Sequence, residues 1–151
     1  MSNYGRFIGV DVGTKHVGLA RTDLLKTVAN PIGTFSPGDA VEEIKRQVAS
    51  EKIEKIIVGW PLTPEGNEGK TIHMVKQYIN RIQNRLPDME IVKFDERYTS
   101  KEAEDAMFRA GVPLKERRNT DRINKVAAAI ILQKYLEQTE SDHGYTTYRY
   151  I

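Results

Sequence analysis

The chain has 151 residues, no cysteine and a formal net charge of +2 at pH 7. That length suits one domain with a sizeable core, and the missing cysteines exclude a disulfide framework and a thiolate zinc site. No apolar signal region precedes Arg6 and no apolar run nears the roughly 20 residues of a membrane span, so a cytoplasmic protein without a membrane partner is expected.

Three extended segments come first, Arg6 to Asp11, His16 to Thr22 and about Val28 to Phe35, with connections short enough for hairpins. They predict an antiparallel meander. Ser36-Pro-Gly-Asp opens a helix to about Glu51, with Val41, Ile44 and Val48 on one apolar face. Lys55 to Trp60 is a short apolar run, as expected of a strand buried on both faces. After a loop from Pro61 to Gly69, an amphipathic helix from about Lys70 to Leu86 carries Ile72, Val75, Ile79 and Ile82 on one side, and Pro87 stops it.

Glu90 to Phe94 reads as a fifth strand ending in Asp95-Glu96-Arg97. Thr99 and Glu102 have capping-box spacing and start a helix to about Ala110, where Gly111 and Pro113 end it. Residues 112 to 119 read as a mobile basic loop. A last helix, about Thr120 to Gln138, is apolar nearly all round and is expected to be buried. Residues 1–138 thus form one domain, and the polar, aromatic tail 139–151 lacks helical periodicity and is expected to be disordered or used in contacts. A meander followed by alternating helices and strands implies an α/β fold, a five-stranded mixed sheet flanked by helices.

Asp11 ends an apolar strand and turns back through glycines, which holds an acid on a rigid element where it can bind a metal ion. Asp95 and Glu96 end the fifth strand, and ligands in open α/β sheets sit outside strand carboxyl ends. Asp121 and Asn124 lie three residues apart on the last helix, about 4.5 Å along its axis and on nearly the same face. Such oxygen groups suit hard divalent cations such as Mg2+, and paired ions can drive in-line hydrolysis of a phosphodiester. Arg109 to Lys125 carries six basic residues against two acids, which would attract a phosphate backbone. Each feature also has a plainer reading: a turn residue for Asp11 or Asp23, favourable helix-start acids for Asp95, Glu96 and Asp121, and solvated surface cations for the rest.

Four blocks, Asp11-Val-Gly-Thr-Lys-His-Val-Gly-Leu-Ala-Arg-Thr-Asp23, Gly59-Trp-Pro61 with Gly66 and Gly69, Asp95-Glu-Arg-Tyr-Thr-Ser100 and Ala127-Ala-Ala-Ile-Ile-Leu-Gln133, occur in the order seen in the YqgF/RuvX family. The chain resembles that family across residues 6 to about 138. The resemblance implies an RNase H-like fold similar to RuvC-type Holliday junction resolvases, and a Mg2+- or Mn2+-dependent nuclease that matures the 5′ end of pre-16S rRNA. It makes Asp11 the first-strand acid and Glu96 the second, with Asp95 as an alternative ligand. Asn124 stands where the family usually has Asp, which leaves Asp121 to serve one turn earlier; His16 replaces the usual Arg after Lys15. Lys15, Arg97, Lys101, Lys115, Arg117 and Arg118 are the expected contacts to nucleic acid.

Two other enzyme classes fail on the residues. A P-loop at Gly69-Lys70-Thr71 lacks its first glycine, because Pro64 stands there. The phosphate motif of two-domain sugar-kinase ATPases would need a second domain. A branched-DNA resolvase and a noncatalytic nucleic-acid-binding module of the same fold remain as alternatives, the latter favoured by Asn124. Monomer and homodimer are equally compatible with the sequence.

Overall fold

A computed structural model describes residues 4–63, 65–97, 99–111 and 120–144. Strands β1 (Arg6–Val12), β2 (Val17–Thr22) and β3 (Ala29–Phe35) lead into helix α1 (Pro37–Ser50), strand β4 (Ile53–Trp60), helix α2 (Ile72–Arg85), strand β5 (Glu90–Asp95) and helices α3 (Thr99–Arg109) and α4 (Thr120–Gly144). The strands form one sheet in the order β3-β2-β1-β4-β5. β2 pairs antiparallel with both β1 and β3, whereas β1-β4 and β4-β5 are parallel. The expected mixed sheet and its meander are therefore present. β3 is an edge strand, which is why it accommodates Pro31 beside a register shift.

Side-chain alternation divides the core into two layers. Ile8, Val10, Ile56 and Val58 point to one face and pack with Val41 and Ile44 of α1 and Val75, Ile79 and Ile82 of α2. Phe7, Ala20, Ile57 and Phe94 point to the other and pack on Ala128, Ile131, Leu132 and Tyr135 of α4. Asp11 follows Phe7 and Gly9 on the α4 face. α1 starts as its sequence requires: Ser36 accepts a hydrogen bond from the Asp39 amide at 3.2 Å, and Pro37 occupies the first turn.

α4 lies unusually close to the sheet. A side chain at Gly18 would overlap the backbone carbonyl of Asn124, and a Cβ at Gly9 would come within 2.8 Å of the Ala128 carbonyl oxygen. Glycine at these two strand positions lets helix backbone rest on strand backbone.

Two expectations for α4 change. Val126, Ala129 and Ile130 are only half-buried, because the helix buries one side on the sheet and meets α3 over part of the rest. The helix also runs to Gly144 and not to Gln138. Residues 145–151, like the basic loop 112–119, lie outside the described residues. No helix among the described residues is long and apolar enough to cross a membrane.

Candidate active site

The carboxyl ends of β1, β4 and β5 open onto a cleft of about 360 Å³, lined by Asp11, Gly13, Thr14, Pro61, Leu62, Thr71, Met74, Glu96, Arg97 and Asn124 among others. Asp11 is only 8% exposed, and its backbone pairs with Gly18 inside the β1-β2 ladder, so its side chain is aimed by the sheet itself. Glu96 follows the last residue of β5, and its amide donates to the Trp60 carbonyl at 3.1 Å, which extends strand geometry one residue further. Period-two alternation then puts Glu96 on the same face as Phe94, the α4 face, beside Asp11.

The two carboxyl groups share a hydrogen bond. Burial raises the Asp11 carboxyl above the ordinary carboxylate range, while the bond to Glu96 pulls it partly back. Glu96 is raised further, first by burial and then by the charge of Asp11 and the hydrogen bond to it, with Asp95 adding to the effect. Two acids forced together in a dry site cannot both ionise cheaply, so at neutral pH the pair tends to retain a proton.

Asp95 turns the other way. Its carboxylate accepts from the Arg97 amide at 3.0 Å and from Arg97 Nε at 2.9 Å, and Arg97 Nη2 lies 2.8 Å away. The sequence left Asp95 and Glu96 as alternatives; the structure gives Asp95 to Arg97 and brings Glu96 to Asp11. Arg97 itself stays on the cleft wall, where its guanidinium can meet a phosphate.

Asn124 is 8% exposed in the first turns of α4, placed there by the close seating of the helix on Gly18. Its Nδ2 donates weakly to the His16 carbonyl at 3.5 Å. That bond uses the amide nitrogen, the donor end of the side chain, and the amide oxygen is its acceptor end. A carboxylate at this position would meet the His16 carbonyl as one acceptor facing another.

Of the remaining expected residues, Lys15 is exposed on the β1-β2 turn beside the cleft. Lys101 and Asp121 sit on α3 and α4, but their side chains lie outside the described residues, as do Lys115, Arg117 and Arg118 entirely. Asp23 is a turn residue: it accepts from the Thr27 amide and hydroxyl, each at 2.7 Å, and from the Val28 amide at 3.0 Å. Among the described residues no group of three Asp, Glu or His side chains converges on one point.

Sequence reasoning missed several contributors. A Cβ at Gly59 would lie 2.8 Å from Glu96 Oε2 and 2.7 Å from Ile131 Cδ1, so glycine makes the space that the Glu96 carboxyl fills. Gly13 plays a similar part under the His16 carbonyl, 2.7 Å from where its Cβ would be. Thr14 and Thr71 add hydroxyls to the lining. The family blocks contained Gly59 and Gly13, but nothing in a linear pattern shows what their missing side chains make room for.

A family model described as "RuvX: Holliday junction resolvase" matches residues 5–138. A Salinibacter ruber protein named "Putative pre-16S rRNA nuclease" is 41% identical over 92% of this chain and 97% of its own length. A Chlorobium luteolum protein of the same name is 33% identical over 91% of this chain and 98% of its own length. Among solved structures, Thermus thermophilus RuvC in complex with a Holliday junction substrate superposes with a TM-score of 0.56 at 14% identity, over 91% of this chain and 97% of that one, which shows a common, RNase H-like fold. By its family model and these relatives, the chain belongs to the RuvX family, a family of nucleases and resolvases.

Proposed function

We propose that this chain is a divalent-metal-dependent nuclease that hydrolyses a phosphodiester near the 5′ end of pre-16S rRNA. The observation that carries the reading is the Asp11–Glu96 pair: a buried Asp11 and a half-buried Glu96 at the ends of separate strands, their carboxyls hydrogen-bonded in an open cleft. A fold does not bury two like acids together for stability, because removing their hydration and setting them side by side both cost free energy. A hard cation offsets both costs.

The donor set fits such an ion. Asp11 and Glu96 supply oxygens, the Asn124 amide oxygen adds a neutral one, and Asp121 stands one turn earlier on the same helix. Mg2+ and Mn2+ accept such a partial set and complete it with waters and substrate phosphate oxygens. When bound, the metal would stabilise charge on the scissile phosphate and lower the pKa of the attacking water. The chain's own groups have separate parts: Asp11 and Glu96 would hold the cation, and Arg97 and Lys15 would hold phosphates of the strand from the rim. The relatives' names favour pre-16S rRNA as substrate, while the family description favours branched DNA.

Both substrates belong in one test, a precursor 16S RNA and a four-way DNA junction incubated with the full chain and Mg2+ or Mn2+. RNA cleavage near the 5′ end that stops with EDTA and with Asp11→Asn is the expected result. Cleavage of the junction with the RNA intact would assign resolvase activity instead. Asn124 supports a second reading, a noncatalytic binding module, because an amide contributes no negative charge to a metal site. That reading gains if neither substrate is cut and Mn2+ does not bind at millimolar concentration.

A further inference from the structure

Beside the cleft, on the opposite side of β5 from Glu96, a second depression of about 310 Å³ runs between α2 and β5. Its walls are Lys76, Asn80 and Gln83 from α2 and Lys93 from β5, over a floor of Ile79 and Ile91. Lys76, Asn80 and Gln83 recur at helical spacing, so they form one row about 10.5 Å long. That row is long enough to meet more than one phosphate of a strand. No carboxylate is among the lining side chains; around it, Glu68 meets Lys76 at 3.5 Å with both side chains about half exposed, and Asp95, two residues beyond Lys93, is paired to Arg97.

The groove approaches the cleft along β5, where Lys93, Asp95 and Arg97 follow one another at two-residue intervals, about 6.6 Å per step, with the Asp95 carboxylate paired to Arg97. Lys93 is held over the Trp60 ring, its ammonium 4.4 Å from the ring centroid, so this cation is positioned and does not merely sample solvent. Every lining side chain that can hydrogen-bond from this groove is a cation or an amide, which is the donor set that phosphate and sugar oxygens need.

We propose that the α2–β5 groove carries the backbone of a single nucleic-acid strand as it leaves the active cleft, contacting it through Lys76, Lys93, Asn80 and Gln83. This rests on the nuclease reading for its direction, from cleft to groove, but its test is a binding measurement and needs no cleavage. Such contacts read backbone and not base sequence, so the groove adds affinity and orientation to any strand with the right path.

The test uses the full chain carrying Asp11→Asn, a labelled single-stranded RNA of twelve nucleotides and fluorescence anisotropy at several salt concentrations. Adding Lys76→Gln and Lys93→Gln together is expected to weaken binding roughly tenfold at low salt and to lower the slope of log affinity against log salt by about 1.4, two contacts at about 0.7 each for a single strand. Lys52→Gln, at the far end of the sheet, should change neither, and Lys93→Arg should restore part of the loss. The chain's one tryptophan is Trp60, so its emission should respond to the RNA before the double substitution and much less after it. Unchanged affinity and slope in the double variant would overturn the proposal, as would displacement of the RNA by a polyglutamate peptide at equal concentration. If the unsubstituted chain binds the RNA through these lysines yet cuts nothing, the groove stands and the nuclease reading falls; cleavage with groove-independent binding is the reverse.

Discussion

The two ends of the sheet treat the same chemical group in opposite ways. At the cleft end, buried Asp11 and half-buried Glu96 are set against each other, and both carboxyls are pushed upward from their ordinary range. At the β2-β3 hairpin end, Asp23 is half-buried in a turn and accepts three hydrogen bonds from residues four and five positions on, which hold it down at about 2. One acid stabilises the fold where it stands; the other two are held in place at the fold's expense. An aspartate at a strand end therefore means little until its donors are known.

The sharpest way to break this contrast is Asp11→Asn. It should lower cleavage by about a thousandfold or more while leaving the melting temperature equal or higher, checked by single-turnover assays and thermal denaturation. A folded but fully active variant would remove the cleft from the chemistry. Next in size is Gly18→Ala, whose methyl group meets the Asn124 carbonyl. Lifting α4 off the sheet should cost about 3 kcal/mol in chemical denaturation and displace Asn124 from the site, so activity falls with stability.

Glu96→Gln sharpens the comparison through pH. A carboxyl whose pKa is raised by folding favours the folded state fully only below its unfolded pKa, and that contribution is lost as pH rises through the folded value. Metal-free wild type should therefore lose stability relative to Glu96→Gln as pH rises from the ordinary carboxylate range through about 9, read as a widening gap in melting temperature. Added Mg2+ should narrow the gap by stabilising only the wild type. A gap that stays flat with pH would mean that the pair is solvated. Asp23 has the opposite sign: its pKa is depressed, so its contribution is present above the unfolded value and lost as pH falls toward about 2. The smallest effect is expected from Asp23→Ala, about 1 kcal/mol in stability with cleavage within about twofold of wild type.

Much of this was legible in the linear chain, for identifiable reasons. Asp11 stood out because an apolar strand rarely ends on an acid without a use for it, and all five strands followed from apolar runs and turn residues. The choice between Asp95 and Glu96 was legible in principle too: Phe94 is apolar and buried, so the next side chain on its face is Glu96. The extra turns of α4 were not, because Thr139 to Gly144 is polar and a periodic apolar pattern marks only helix that is packed. The parts played by Gly9, Gly18 and Gly59 were out of reach as well, since each answers to an atom between 37 and 119 residues away. Close approach is a property of the pair, and a glycine alone does not name its partner.

The seating of α4 on Gly18 has a consequence for the timing of synthesis. Asp11 emerges from the ribosome early and Glu96 midway, but Asn124 reaches the cleft only after the final helix has been made and has settled on strands formed long before. An incomplete nascent chain then holds Asp11 and Glu96 without the helix that packs over them. The cleft closes around the two acids only when translation of the last helix is complete.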